Sequence, residues 1–354
     1  MRWETVGDGE GEGALFDADA MAEHHVGHGA FAGMEFLHVN AKRLISEVPR
    51  SSHMPFRHTV NVYRGCSHAC TYCFARPTHE YLGLGIGQDF ERRIVVKVNA
   101  VERLRAELAA RHWAGNHIAM GTNTDPYQRC EGKYHLTRGV VEVLAEARNP
   151  FSILTKSTLI LRDLDLLADA ARQVAVRVNL SIGTLDDDVW RMTEPGTPRP
   201  RARVDAVRRL NDAGVACGVL VAPVLPGISD GEEQLQAVVE AACGAGATSI
   251  SAVALHLRPG VRDHYLDWLR GVDPGLAAAT AARYRGAYLP KVDQRSLAAV
   301  VRTMVESAGG RPLSPRRARW VDGSPTDRVR AQMGGDEPVT PVPEPATEQL
   351  TLTL

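Results

Sequence analysis

Three of the six cysteines fall in one stretch, Gly65-Cys66-Ser67-His68-Ala69-Cys70-Thr71-Tyr72-Cys73-Phe74, with three and then two residues between them. A tight loop at that spacing can turn three thiolates toward one corner of a metal cluster. An iron–sulfur cube held by three thiolates keeps one iron open, and a bidentate small molecule can bind there and exchange electrons with the cluster. The competing reading is a zinc knuckle. Zinc commonly takes four ligands from two C-x2-C pairs, and the chain has no second pair. His68, inside the loop, is too constrained by its neighbours to close a tetrahedron with all three sulfurs.

Such a loop needs a scaffold, and the chain supplies a repeated pattern from His58 to about Arg270. Short β-branched runs end in glycine or polar residues, and each is followed by an amphipathic stretch of alanine, leucine and charged residues. Strands are expected at 59–64, 118–121, 151–155, 176–182, 218–223 and 251–256. Helices are expected at 100–113, 137–148, 162–171, 201–213 and 232–243. Six strand–helix units in a row imply a parallel α/β sheet curling into a barrel, because parallel strands need crossovers and these take one hand. In barrels the chemistry gathers at the C-terminal ends of the strands. Cys66 follows directly on the first expected strand, and Thr122, Thr124 and Asp125 follow the second, within a T-D-P run that is also an ordinary turn signature. Lys156, Asn179, Ser181 and His256 fall at later strand ends.

The C-x3-C-x2-C loop with aromatic Tyr72 before its last cysteine resembles that of the radical S-adenosylmethionine (SAM) enzymes. The longer run, from Val60-Asn61-Val62-Tyr63-Arg64-Gly65-Cys66 through Gly121-Thr122-Asn123-Thr124-Asp125-Pro126-Tyr127 to Arg203, is similar to the spore photoproduct lyase-like branch, over roughly residues 35–270. The resemblance implies a partial (β/α)6 TIM-type barrel. It also implies a [4Fe-4S] cluster on Cys66, Cys70 and Cys73, whose open iron takes the amino and carboxylate groups of SAM. The reduced cluster then cleaves SAM, and a 5'-deoxyadenosyl radical takes hydrogen from substrate; the hard chemistry belongs to the cofactors. By the same resemblance Tyr72 is cofactor-binding, Thr122, Thr124 and Asp125 lie at the SAM amino end and Asn179 and Ser181 at the ribose. Arg203, with Arg201 as the alternative, meets the carboxylate through its fixed fork of donors. A reductase, flavodoxin or ferredoxin is the implied electron donor. In spore photoproduct lyase a cysteine hydrogen donor stands just after the second strand. Thr122 or its neighbour fills that place here, so a different substrate is expected. Cys130, Tyr127 or Tyr134, close in sequence to Asp125, are alternative donors. An iron–sulfur redox or iron-sensing protein without SAM chemistry is the reading from another class.

Nucleic acid as substrate has a basis in the arginines at 191–209 and 311–330, the latter with Trp320. The net charge of -1 argues for less reliance on phosphate contacts, and a peptide or small-molecule substrate is equally open. Hydrophobic and charged shares of 44% and 23% are those of a globular chain with a sizeable core. No apolar run approaches the roughly 20 residues that span a bilayer. The cysteines fit a reducing, cytoplasmic compartment, where cluster ligation prevails over disulfides.

The termini read differently. Residues 1–34 form an acidic, glycine-rich arm with a histidine group at His24, His25 and His28, expected to be disordered. A lead-in follows at 35–57, then the barrel at 58–270, a helical extension at 271–333 and a disordered tail at 334–354. The tail's final Gln349, Leu350, Leu352 and Leu354 are similar to the short peptides by which bacterial replication and repair proteins dock on the sliding clamp.

Overall fold

The computed structural model describes residues 16–49, 52 and 54–313. Gln349, Leu350, Leu352 and Leu354 lie outside the described residues, as do Trp320 and most of the second arginine group. The chain enters through a small sheet. Strand β1 (Phe16–Val26) runs antiparallel to β2 (Glu35–Ala41), and β3 (Ile45–Glu47) runs antiparallel to β4 (His58–Val60). From β4 the chain passes through β5 (Tyr63–Arg64), the cysteine loop and helix α1 (Gln88–Arg92) to β6 (Arg93–Lys97), which inserts between β2 and β5. The result is a four-stranded sheet of order β1-β2-β6-β5.

Strand and helix then alternate. Helix α2 (Ala100–Leu108) leads to β7 (Ile118–Met120), and α3 (Glu131–Tyr134) with α4 (Leu136–Glu146) leads to β8 (Phe151–Thr155). Helix α5 (Leu164–Ala171) precedes β9 (Val176–Ser181); α6 (Asp187–Thr193) and α7 (Pro200–Asp212) precede β10 (Cys217–Val224); α8 (Glu232–Gly244) precedes β11 (Ile250–Ala254). The large sheet has the order β11-β10-β9-β8-β7-β4-β3, and β4 and β7 to β11 are all parallel. Six parallel strands in a linear order make the partial barrel; β3 and β11 end it, so it is not closed.

The strand pattern explains the core. On β9, Val176, Val178 and Leu180 are buried, while Arg177 and Asn179 between them occupy the other face of the pleat. On α7, Ala206, Val207 and Leu210 are buried, and they share the main core with the β9 set. Each fully buried valine or leucine contributes about 1.5–3 kcal/mol of transfer free energy.

Three helices follow the barrel: α9 (Val261–Val272), α10 (Pro274–Arg283) and α11 (Lys291–Ser307). Leu257, Tyr265, Leu269 and Tyr284 from this region pack with Cys70 and Tyr72, so the helical extension braces the cysteine loop. Arg311 and Leu313 bond to Ile250 at the open edge of β11. No helix among the described residues is long and apolar enough to cross a membrane.

The start of the chain differs from expectation. The arm expected to be disordered contains β1 from Phe16 onward, and the lead-in contains β2 and β3. The order of β1 comes from its ladder with β2, a non-local pairing that local composition does not register.

Candidate active site

The cysteine loop is held from three directions. Gly65 enters it at φ +78°, and a Cβ there would lie 2.8 Å from both His79 and the Phe90 carbonyl, so only glycine turns the chain here. The Cys66 amide donates to the Phe90 carbonyl at 2.8 Å. After β7, Thr124 Oγ1 and Gln128 Nε2 donate to the Gly65 carbonyl at 2.6 and 3.0 Å, and Gln128 Oε1 accepts from the Ser67 amide at 2.9 Å. After α6, Gly196 donates to the His68 carbonyl at 3.0 Å, and a Cβ on Gly196 would fall 2.2 Å from the Ser67 carbonyl oxygen. Buried Arg76 donates to the Cys70 carbonyl at 2.9 Å. Gln128, Gly196 and Arg76 carry no sequence motif; they become visible only when separate elements meet.

Cys66, Cys70 and Cys73 are free thiols, and burial pushes all three up, Cys70 to about 12. Thiolates in so apolar a place require a positive partner such as iron. Three free thiols on one short loop fit a cube that leaves one iron open.

Asp125, after β7, is nearly saturated. It accepts from Thr155 Oγ1 at 2.6 Å, the Lys156 amide at 2.8 Å and the Tyr127 amide at 2.9 Å, and His68 Nδ1 lies 3.3 Å away. Burial opposes its charge, but His68 and these donors hold its carboxyl below the ordinary value. The Thr124 hydroxyl is used on the loop, whereas Thr122 is paired with Asn61 at 3.0 Å and is only partly buried.

A second constellation sits at the ends of β8 and β9. Glu194 bonds the Tyr72 hydroxyl, pairs with Arg203 Nη2 at 2.5 Å and lies 3.5 Å from Lys156 Nζ. Burial would raise its carboxyl, but Arg203 and Lys156 hold it down to about 2. Lys156 Nζ also donates to Ser181 Oγ at 2.6 Å, and Ser181 passes a bond to the Ala222 carbonyl at 2.7 Å. Arg203 is fully buried, with its remaining donors on the Pro198 and Ser181 carbonyls and Thr197. The structure thus brings together Tyr72, Ser181 and Arg203, and adds Lys156 and Glu194. Glu194 carries no sequence signal of its own, because its role depends on three separate elements converging. Asn179 lies on the same β9 face as Ser181.

Cys130 needs correction. It is wholly buried in the main core, its thiol pushed upward by burial and by Glu131, so its nearness to Asp125 in sequence does not expose it at the mouth. Tyr127 is also fully buried, though its edge lines a surface cleft of about 590 Å³ with His68, Arg129 and Thr197. Tyr134 lies among Phe36, His38 and Tyr63. Beside the third cysteine, Phe74 is 43% exposed; the His256 ring lies 6.4 Å from it and stacks on Tyr288 at 4.1 Å and 7°.

With this geometry in place, comparisons with known proteins identify the family. The model of the radical SAM superfamily matches residues 60–239. An uncharacterized protein of Mycobacterium tuberculosis is 47% identical over 261 residues, covering 73% of this chain and 77% of that protein. A radical SAM Nalpha-GlyT isomerase of Pseudomonas phage M6 is 27% identical over 165 residues, 46% of this chain and 32% of that protein. Among solved structures, spore photoproduct lyase complexed with dinucleoside spore photoproduct superposes with a TM-score of 0.54 at 18% identity, covering 77% of this chain and 79% of that one. The chain belongs to the radical SAM superfamily.

Proposed function

We propose that this radical SAM protein holds a [4Fe-4S] cluster on Cys66, Cys70 and Cys73 and SAM beside it. Bound together, the two supply reductive cleavage of SAM to a 5'-deoxyadenosyl radical that takes hydrogen from substrate. The observation that carries this reading is the excess of positive charge about Glu194: Lys156 and Arg203 face one carboxylate next to the thiol loop. These cations also face the Cys70 thiol, so they favour anionic groups here, both the cluster thiolates and the methionine carboxylate of SAM.

The residues divide the work by their freedom to move. Arg203, held by bonds to Pro198, Ser181, Thr197 and Glu194, fixes Glu194 and through it the Tyr72 hydroxyl. Lys156, 15% exposed and on a flexible stem, is the cation free to turn toward the carboxylate. Thr122 offers an acceptor for the amino group and Asp125, its oxygens already engaged, contributes negative charge beside it; Thr124 acts by anchoring the loop. Asn179 and Ser181 face the ribose from β9. Burial of the loop excludes water from the thiols.

The proposed substrate contains a nucleobase. Its support is the half-exposed Phe74 next to Cys73, with the stacked His256–Tyr288 pair behind it, because aromatic faces take planar bases at about 1–3 kcal/mol each. A lesion within duplex DNA would have to be extruded to reach this mouth. A flavodoxin, ferredoxin or reductase would deliver the electron.

The test is anaerobic cluster reconstitution, reduction with dithionite in the presence of SAM and assay for 5'-deoxyadenosine, with Cys70→Ala as control. Wild type forms the product and the control does not. A full cluster that neither binds nor cleaves SAM would sink the reading and leave an iron–sulfur sensor in its place. Added dinucleotide photoproduct or other base lesion is expected to raise turnover, and Phe74→Ala to lower that response.

A further inference from the structure

The histidines of the N-terminal arm do not all sit as a solvated group. On the β1–β2 ladder Glu23 is directly opposite His38, and His25, two residues on, lies on the same face. The ligating atoms of Glu23, His25 and His38 all fall within 4.8 Å of one another. His25 Nε2 is 2.7 Å and His38 Nδ1 3.8 Å from the same oxygen, Glu23 Oε2, and the two imidazole rings are 4.2 Å apart. Among the described residues this is the one such group of three or more.

We propose that Glu23, His25 and His38 form a zinc site, with water completing the coordination. Two imidazole nitrogens and one carboxylate are a donor set that zinc takes and that magnesium or calcium, which prefer all-oxygen shells, does not. A second observation points the same way. His38 Nε2 bonds the Tyr134 hydroxyl at 2.8 Å. That outer bond orients the ring and commits the other nitrogen, Nδ1, to the side where Glu23 and His25 stand, which is how second partners prepare metal-ligating histidines. The neighbouring histidine is excluded by the same alternation: His24 points to the opposite face, where it meets Glu35 at 3.2 Å. The ion would have a structural role. It fastens β1, the edge strand of the small sheet, to β2 and, through Tyr134, to α3 of the barrel.

The test uses the full chain carrying its cluster, so that the loop thiols are occupied, with Zn2+ added in competition with a chromophoric chelator under anaerobic conditions. One equivalent should bind, with a nitrogen and oxygen shell in zinc X-ray absorption. His25→Ala and His38→Ala should each weaken binding by more than about 100-fold, and Tyr134→Phe by about tenfold. His25 is 45% exposed, so its removal leaves the fold intact and keeps the test valid should His38→Ala misfold. His24→Ala should bind as wild type. Failure of the wild type to bind, a sulfur shell around the zinc, or unchanged affinity in His25→Ala overturns the proposal.

Discussion

Two buried carboxylate networks run through the barrel, one at α3 and one at the mouth. In the first, Glu131 accepts from Tyr63 at 2.5 Å and Arg162 at 2.9 Å, while Asp163 accepts from Arg162 at 2.8 Å and Arg138 at 3.1 Å. Two buried carboxylates meet two guanidiniums, and Arg138 also pairs with the exposed Glu142 at 3.2 Å and Asp165 at 3.6 Å. In the second, Glu194 alone meets Arg203 and Lys156. The first leaves no cation without a carboxylate, a device for locking α3, α4 and the start of α5 together. The second carries one positive charge beyond its own carboxylate, and Lys156 faces the Cys70 and Cys73 thiols with that charge. Nearby Asp125 does not cancel it, since His68, Thr155 and two backbone amides already surround that carboxylate. The difference teaches that burial and ion pairing alone do not mark a site; a cation left over to face the loop thiols does.

The comparison can be broken most forcefully at the first network. Glu131→Ala leaves Arg162 partly stranded and should cost about 3–5 kcal/mol in chemical denaturation, with the SAM affinity of the folded, cluster-loaded fraction unchanged. Loss of SAM binding there would put the first network in the site. Gly196→Ala, which drives a methyl into the Ser67 carbonyl, should cost about 1–3 kcal/mol and reduce bound iron and sulfide on reconstitution. Equal iron content in this variant would mean that the loop is not clamped from α6.

Acid sharpens the contrast further. The Glu194 carboxyl, held to about 2 in the fold, lies below its unfolded value of about 4.3. Its stabilisation is therefore fully present above about pH 4.3 and is lost as the pH falls toward about 2. Glu194→Gln should flatten that part of the acid unfolding curve followed by circular dichroism; an unchanged slope contradicts the assignment. The smallest stability effect belongs to Lys156→Met, at about 1 kcal/mol or less, because the ammonium is partly exposed and its pairing screened.

The barrel was readable where its signals are local. Residues 151–155 coincide with β8, since the run Phe151-Ser152-Ile153-Leu154-Thr155 alternates buried and half-buried positions between turn residues. The small sheet was not readable, because β6, the Ile94-Val95-Val96 run, gains its meaning from β2 and β5, one far behind it in sequence and one across the cysteine loop. The site divides the same way. Cys66, Cys70 and Cys73 announce themselves by spacing, and Tyr72 by its place before the last of them. Glu194 and Gln128 do not, since each acts across more than 60 residues of chain. Cys130 shows the converse: the short turn into α3 carries it from the strand end into the core.

The most direct test of the charge argument is SAM affinity, measured by equilibrium dialysis on anaerobic, cluster-loaded protein at matched iron content, for Lys156→Met beside Arg162→Met. The account predicts a dissociation constant raised about tenfold, a loss of about 1.4 kcal/mol, for Lys156→Met and an unchanged one for Arg162→Met. Equal affinities in the two variants, or a loss confined to Arg162→Met, would contradict it.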